Sequence, residues 1–250
     1  MPLVASEIIA HRGASFDAPE NTVAAFRLAW EQGTDAAELD IHQTKDGQII
    51  VIHDATTKRN VGVDRPVVDQ TLEELHALDA GSWKGAAWKG EKLPTLAEAL
   101  ATIPDGRRLF IEIKCSAAVL PELERVLKAS GKKPAQLVLI AFDYATITQA
   151  KKLFPNIPAF WLAGYKVDPQ TGRAPELEPL LAKAKAAGVD GLDLDFKFPI
   201  DATFVNAAKA AGLQIYVWTV DDAEVARRLA AAGVAGITTN RPGWLRTQLK

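Results

Sequence analysis

The sequence predicts one α/β domain, a (β/α)₈ TIM barrel, and three observations carry that prediction. Short apolar, β-rich runs alternate with longer stretches of helical period along the whole chain. All but one of the runs are spaced widely enough for parallel crossovers, and 250 residues is a common size for such a barrel. No Gly-x-Gly-x-x-Gly follows a strand, so the mark of an open dinucleotide-binding sheet is missing.

Strands are expected at 7–10, 37–41, 49–52, 109–113, 137–141, 159–162, 191–194, 214–218 and 235–238. The third is the exception. Thr44-Lys45-Asp46-Gly47 is all that links it to the second, whereas a parallel crossover needs about a dozen residues. It is therefore the return arm of a hairpin that turns at Asp46-Gly47. Without it, eight parallel strands remain. Helices are expected at 21–32, 120–129, 145–154, 176–187, 202–211 and 223–232. Gly33, Gly131, Gly188, Gly212 and Gly233 close five of them with the left-handed conformation that glycine adopts at little cost. The connection from Ala55 to Arg108 is too long for a crossover. It carries a charged loop, a short helix near 72–78, the stretch GSWKGAAWKGEK and a helix at 96–103. The expectation is one domain over 1–250 with an insertion at about 55–94. Long connections are often lids, so Trp83 and Trp88 either cover the barrel mouth or pack the insertion against the barrel.

Composition narrows the function classes. With 29 basic and 31 acidic residues the net charge is −2, which gives no basic excess for a nucleic-acid groove. The single cysteine, Cys115, excludes an internal disulfide. It alternates away from Glu112 and Lys114 and is read as packing. No apolar run is long enough for a bilayer, and the first ten residues lack the basic and apolar regions of a signal peptide. A cytoplasmic enzyme without stable membrane insertion is expected. Nothing in the chain decides between monomer and homodimer.

A barrel of this type places its site at the C-terminal strand ends. His11-Arg12 closes the first strand, Glu38 and Asp40 lie in the second, and His53-Asp54 ends the hairpin arm. Glu112 and Lys114 close the next strand, Asp193 and Asp195 a later one, and Trp218 another. Residues two apart on a strand share a face, so Glu38 and Asp40 point inward together. Buried acids repel unless something balances them. Salt bridges to Arg12 or Lys114 would do so. With Glu112 alongside, an all-oxygen site for Mg²⁺ or Ca²⁺ is the stronger reading, and no Cys/His cluster suggests zinc. Three carboxylates, a divalent cation, Arg12 and Lys114 leave one net positive charge, which a phosphodiester monoanion neutralises. His11 and His53 can exchange protons near neutral pH and could flank that phosphate as general acid and base. His42 and His76 are read as structural. Asp54 orients a histidine or caps the loop after it. Asp193 and Asp195 either support the site or pair with Lys197 or Lys166. Trp218 either stacks on a small polyol or plugs the barrel.

In order, the motifs HRG, PENT, ELD, TKDG, IHD, LDAGSW, PTL, EIK, WT and GITTN resemble those of the bacterial, soluble glycerophosphodiester phosphodiesterases from Ile8 to about Leu245. The resemblance implies a (β/α)₈ barrel that hydrolyses glycerophosphodiesters, such as glycerophosphocholine and glycerophosphoethanolamine, to glycerol 3-phosphate and an alcohol. It implies His11 and His53 as the acid–base pair, and Glu38, Asp40 and Glu112 as metal ligands. Arg12 and Lys114 would hold the phosphate, Trp218 would face the glycerol, and Glu20 and Asn21 of PENT would buttress the site. The attacker is either water or the glycerol 2-hydroxyl. Lipid substrates or non-catalytic binding of glycerol phosphate are the rival readings. The segment ATTKRNVGVD after His53-Asp54, Ala141-Phe142-Asp143 and Asn240 depart from the usual family forms, departures expected to bear on leaving-group recognition.

Overall fold

A computed structural model describes residues 6–249. Residues 1–5 and 250, the ends of the expected domain span, lie outside the described residues. Nine strands form one sheet: β1 (Glu7–Ala10), β2 (Ala36–Gln43), β3 (Ile49–Val51), β4 (Arg108–Ile113), β5 (Leu137–Ala141), β6 (Ala159–Ala163), β7 (Gly191–Asp195), β8 (Gln214–Trp218) and β9 (Gly236–Thr239). Their order is β1-β9-β8-β7-β6-β5-β4-β2-β3, and an additional β1–β2 pairing closes the barrel. Every barrel pairing is parallel. Only β3 runs antiparallel, against the outer end of β2. The hairpin turns at Gly47, with φ at 76°. The eightfold barrel with a hairpin after its second strand is the architecture that the crossover lengths predict.

Strand alternation sorts the side chains. Ile9, Phe110, Val138, Phe160 and Tyr216 point inward and form an apolar floor. Phe110, Phe160 and Tyr216 pack with ring centroids 4.7–6.5 Å apart. Leu39, Ile41, Ile111 and Ile113 face outward into the larger core beneath the helices. One turn of the pleat above the floor, the inward positions become Glu38, Asp40, Glu112 and Asp193, all buried. The barrel is thus oily below and acidic above. At its lower mouth Arg108 bonds Tyr216 and Glu7. Burial, followed by the Glu7 charge, pushes the Tyr216 hydroxyl up to about 12.

The helices follow their predicted positions, with one informative shift. The first begins at Val23, two residues late, because Thr22 is its N-cap and Asn21 is left-handed, with φ at 59°. The insertion holds more structure than expected. The charged loop contains a helix, Lys58–Val61, and reciprocal Thr/Glu capping boxes start Leu72–His76 and Leu96–Ala101. Val67, Leu75, Ala80 and Leu93 pack on Ile50 and Ile52 as a small separate core. Trp83 is exposed and its indole donates to the Ala80 carbonyl, while Trp88 is half-buried. No helix among the described residues is long and apolar enough to cross a membrane.

Candidate active site

A cavity of about 170 Å³ opens at the C-terminal ends of the parallel strands. His11, Arg12, Glu38, His53, Glu112, Lys114 and Trp218 line it, and neither insertion tryptophan does. Asp40 sits directly behind this wall. Its carboxylate oxygens lie within reach of the other two acids: one ligand atom each from Glu38, Asp40 and Glu112 falls within 4.8 Å of the others. All eight residues singled out in the sequence therefore converge on one place.

The acidic triad is short of partners. Arg12 Nε lies 3.3 Å from Asp40 Oδ2, and Lys114 Nζ lies 2.8 Å from Glu112 Oε1, so both salt-bridge readings hold in part. Yet Glu38 Oε1 and Asp40 Oδ1 are buried without a hydrogen-bond partner. Burial pushes Glu38 well above the usual carboxylate range, and the Asp40 and Glu112 charges add to this. Glu112 is raised to about 7 by burial and then by Asp40. Burial also acts on Asp40, but Arg12, His53 and Lys114 outweigh it and hold its carboxyl low. Three buried carboxylates with two orphaned oxygens make an all-oxygen donor set that suits a divalent cation.

The backbone around Arg12 is built to that end. Arg12 has φ at 54°, a left-handed conformation unusual for a side chain of this size. Its main-chain N–H donates to Glu38 Oε2 at 2.9 Å, and its carbonyl accepts from the Asn21 N–H at 2.9 Å. Asn21, also left-handed, donates Nδ2–H to Asp40 Oδ2 at 2.8 Å and accepts from the Asp40 N–H. Two strained residues thus fix two of the three acids. Gly13 follows with φ at 80°, and a Cβ there would come within 2.6 Å of the Ala25 backbone. Its smallness serves the approach of the first helix.

Both histidines are oriented through Nδ1. Asn240 donates from its main-chain N–H and its Nδ2 to Asp221, which turns its Oδ1 toward His11 Nδ1 at 2.7 Å. His11 Nδ1 therefore carries the hydrogen and Nε2 keeps its lone pair. Burial, followed by the Arg12 charge, lowers His11 to about 4. His53 Nδ1 donates to Asp54 Oδ1 at 2.5 Å, and His53 Nε2 accepts from Lys114 Nζ at 3.2 Å. Asp54 orients a histidine, one of the two roles considered for it. His42 has the structural role expected of it: its Nε2 bonds the His53 carbonyl at 3.0 Å.

Some site residues were hidden in the sequence. Asn240, one of the departures from the usual family forms, holds the His11 ring. Arg59, within the loose segment after Asp54, bonds Glu20 through both terminal nitrogens at 2.8 Å and Asp54 through Nε at 2.8 Å. Glu20 in turn bonds Arg12 Nη1 at 2.9 Å. Phe142 lines the cavity beneath the Lys114 ammonium, 5.6 Å from its ring centre. Asp193 points into the cavity and Asp195 does not: Asp195 accepts main-chain bonds from Lys197 and Tyr165 instead. Burial, and then the Glu112 charge, push Asp193 well above the ordinary carboxylate range. The period-two alternation of β7 already placed Asp193 and Asp195 on one face; the end of the strand separates them.

The model of the glycerophosphoryl diester phosphodiesterase family matches residues 11–244. The chain is 37% identical over 240 residues to a glycerophosphodiester phosphodiesterase of Caldanaerobacter subterraneus subsp. tengcongensis, covering 94% of each. It is 33% identical over 252 residues to one from Bacillus subtilis, covering 94% of this chain and 83% of that relative. Among solved structures, an Oleispira antarctica phosphodiesterase in complex with the product sn-glycerol-3-phosphate superposes with a TM-score of 0.87 at 29% identity, covering 98% of this chain and 97% of that one. A match that runs from His11 past Trp218, and so spans every strand end that builds the cavity, places this chain in the glycerophosphoryl diester phosphodiesterase family.

Proposed function

We propose that the protein hydrolyses glycerophosphodiesters, such as glycerophosphocholine and glycerophosphoethanolamine, to glycerol 3-phosphate and the free alcohol. One observation carries the reading. Two histidines, each tied through Nδ1, flank a buried triad of carboxylates and two cations in a single small cavity. Glu38, Asp40 and Glu112 would hold the divalent cation, Mg²⁺ or Ca²⁺, whose charge supplies Lewis-acid activation of a phosphodiester when it is bound. Arg12 and Lys114 bind the phosphate oxygens and stabilise the charge that builds on them. Trp218, its indole N–H fixed to the Asp193 carbonyl at 3.1 Å, offers its ring to the glycerol carbons.

His11, neutral and with Nε2 free, takes the proton of the attacking hydroxyl. His53, held at the correct angle by Asp54, acts in the form that carries a hydrogen on Nε2 as well as on Nδ1: its Nε2–H goes to the departing alkoxide, and Nε2 is then left to accept from Lys114 as it does here. The P–O bond to the alcohol breaks as the new P–O bond forms, and one proton moves at each end; water as attacker gives glycerol 3-phosphate directly, whereas the glycerol 2-hydroxyl gives a cyclic phosphate that a water then opens to the same product. Product release is the test. Purified protein is incubated with either diester in Mg²⁺, Ca²⁺ or EDTA, alongside His53→Ala. Metal-dependent release of glycerol 3-phosphate that collapses about 10²–10⁴-fold in the variant is the expected result. A folded, metal-loaded protein that turns over neither diester would sink the reading.

A further inference from the structure

The geometry points to Asp193 as the residue that selects the glycerol moiety, by accepting a hydrogen bond from one of its hydroxyls. The inference rests on the function proposed above and goes beyond it. Asp193 is only 2% exposed, yet it lines the cavity, and its Oδ1 is buried without a hydrogen-bond partner. A residue that merely filled the barrel at this level would be apolar, as its neighbours in the cavity wall, Ile140 and Leu162, are. Buried acceptors that a protein leaves unpaired call for a donor from elsewhere. Asp195, two positions further along the strand, shows the contrast, since its oxygens are taken up by the main-chain N–H groups of Lys197 and Tyr165.

The chemistry of the substrate class then decides what fits. A phosphodiester group and a choline head group carry no hydrogen-bond donor, and the ammonium donors of ethanolamine belong to that one head group alone. The glycerol moiety carries two hydroxyls, and it is the part that all members of the class share. Burial agrees with this. Asp193 shares the cavity wall with Leu162, its partner on the neighbouring strand, and with Thr238, both buried, while Phe142 at the rim is 44% exposed. The constant glycerol end suits the buried part of the cavity and the variable alcohol the mouth. Trp218, tied by its indole to the carbonyl of Asp193 itself, places an apolar face next to the acceptor. Together they match a short polyol: carbon on one side, hydroxyl on the other.

Calorimetric binding tests this without turnover. The probes are sn-glycerol 3-phosphate, n-propyl phosphate, which has the same carbon chain without hydroxyls, and phosphocholine. Each is titrated into wild type, Asp193→Leu and Asp193→Asn with Mg²⁺ or Ca²⁺ present. Wild type should bind glycerol 3-phosphate at least about tenfold tighter than propyl phosphate, the scale of one hydrogen bond to a buried group. Asp193→Leu should abolish that preference by weakening glycerol 3-phosphate alone, and Asp193→Asn, which keeps an acceptor oxygen, should retain part of it. Discrimination that survives in Asp193→Leu would overturn the assignment. So would equal weakening of both phosphates, or selective loss of phosphocholine, which would make Asp193 a partner of the cationic head group. A wild type that fails to hydrolyse glycerophosphodiesters but discriminates between these phosphates through Asp193 would defeat the proposed reaction and leave this inference standing.

Discussion

At the scale of single residues, the site depends on where each proton is held. His11 and His53 both line the cavity with Nδ1 occupied, by Asn240 and Asp54, so Nε2 is the nitrogen each has to offer in the proposed reaction. Their roles separate when the leaving group changes. 4-Nitrophenolate leaves its glycerol phosphodiester without protonation, whereas choline or ethanolamine needs a proton to leave. His53→Ala should therefore lose about 10²–10⁴-fold on glycerophosphocholine and far less on the nitrophenyl diester, while His11→Ala loses heavily on both. Steady-state kcat on the two substrates reads this directly, and equal losses in His53→Ala would remove it from the acid role. Glu20 gives a second residue-scale expectation. Burial alone would raise its carboxyl, but the bonds from Arg59, and then the Arg12 charge, bring it down to about 2. A depressed carboxyl contributes stability above its unfolded pKa of 4.5, and that contribution drains away as pH falls from there toward 2. The shift corresponds to about 3 kcal/mol at most, spread over the ion-pair network. Urea unfolding at pH 6 and pH 3 should show a smaller pH dependence in Glu20→Gln than in wild type.

At the scale of elements, the insertion does more than pack on the barrel. Its Lys58–Val61 helix carries Arg59, and that one guanidinium ties Asp54, which aims His53, to Glu20, which holds Arg12. Arg59→Ala should lower kcat about 10–100-fold, as loss of a supporting partner does in comparable sites, with little change in KM. Arg59→Lys, with one point charge in place of the planar fork, should recover only part of it. A variant with wild-type kcat would reduce the helix to packing. Gly13 is a harder constraint. With φ at 80° and the Ala25 backbone 2.6 Å from any added Cβ, Gly13→Ala should destabilise the fold by more than the 1–3 kcal/mol of backbone strain alone, measured as a lower urea midpoint.

Much of this was legible in the sequence, and for a physical reason. Period-two alternation fixes which strand residues face inward, so Glu38, Asp40, Glu112, Lys114 and Trp218 could be placed before any coordinates. The short link at Asp46-Gly47 told the hairpin from the barrel. What stayed hidden depends on closure. Asn240 meets His11 across 229 residues because β9 lies beside β1. Arg59 meets Glu20 only when a loop without periodic pattern folds into a helix. Alternation gave Asp193 and Asp195 one face, but not which of them the following turn would satisfy.

At the scale of the molecule, the barrel sets an apolar floor against a charged ceiling. The aromatic trio Phe110, Phe160 and Tyr216 closes the interior from below, so the acids above it have little bulk water to relieve their repulsion. Without a cation, the folded state carries Glu38 and Glu112 pushed upward and two orphaned oxygens. That repulsion destabilises the folded chain more than the unfolded one. A cation that binds only the folded chain should stabilise it by RT ln(1 + [L]/Kd), or about 2.7 kcal/mol at a hundred times Kd. Melting followed by circular dichroism should show Tm rising with added Mg²⁺ or Ca²⁺ and falling back with EDTA. Glu38→Gln removes one of the crowded charges and keeps the side chain's shape. Its metal-free Tm should equal or exceed that of wild type, and the metal-induced rise should shrink to little or nothing. A Glu38→Gln protein that melts lower than metal-free wild type, yet still gains the full rise on metal addition, would mean that Glu38 supports the fold and that the ion is held elsewhere.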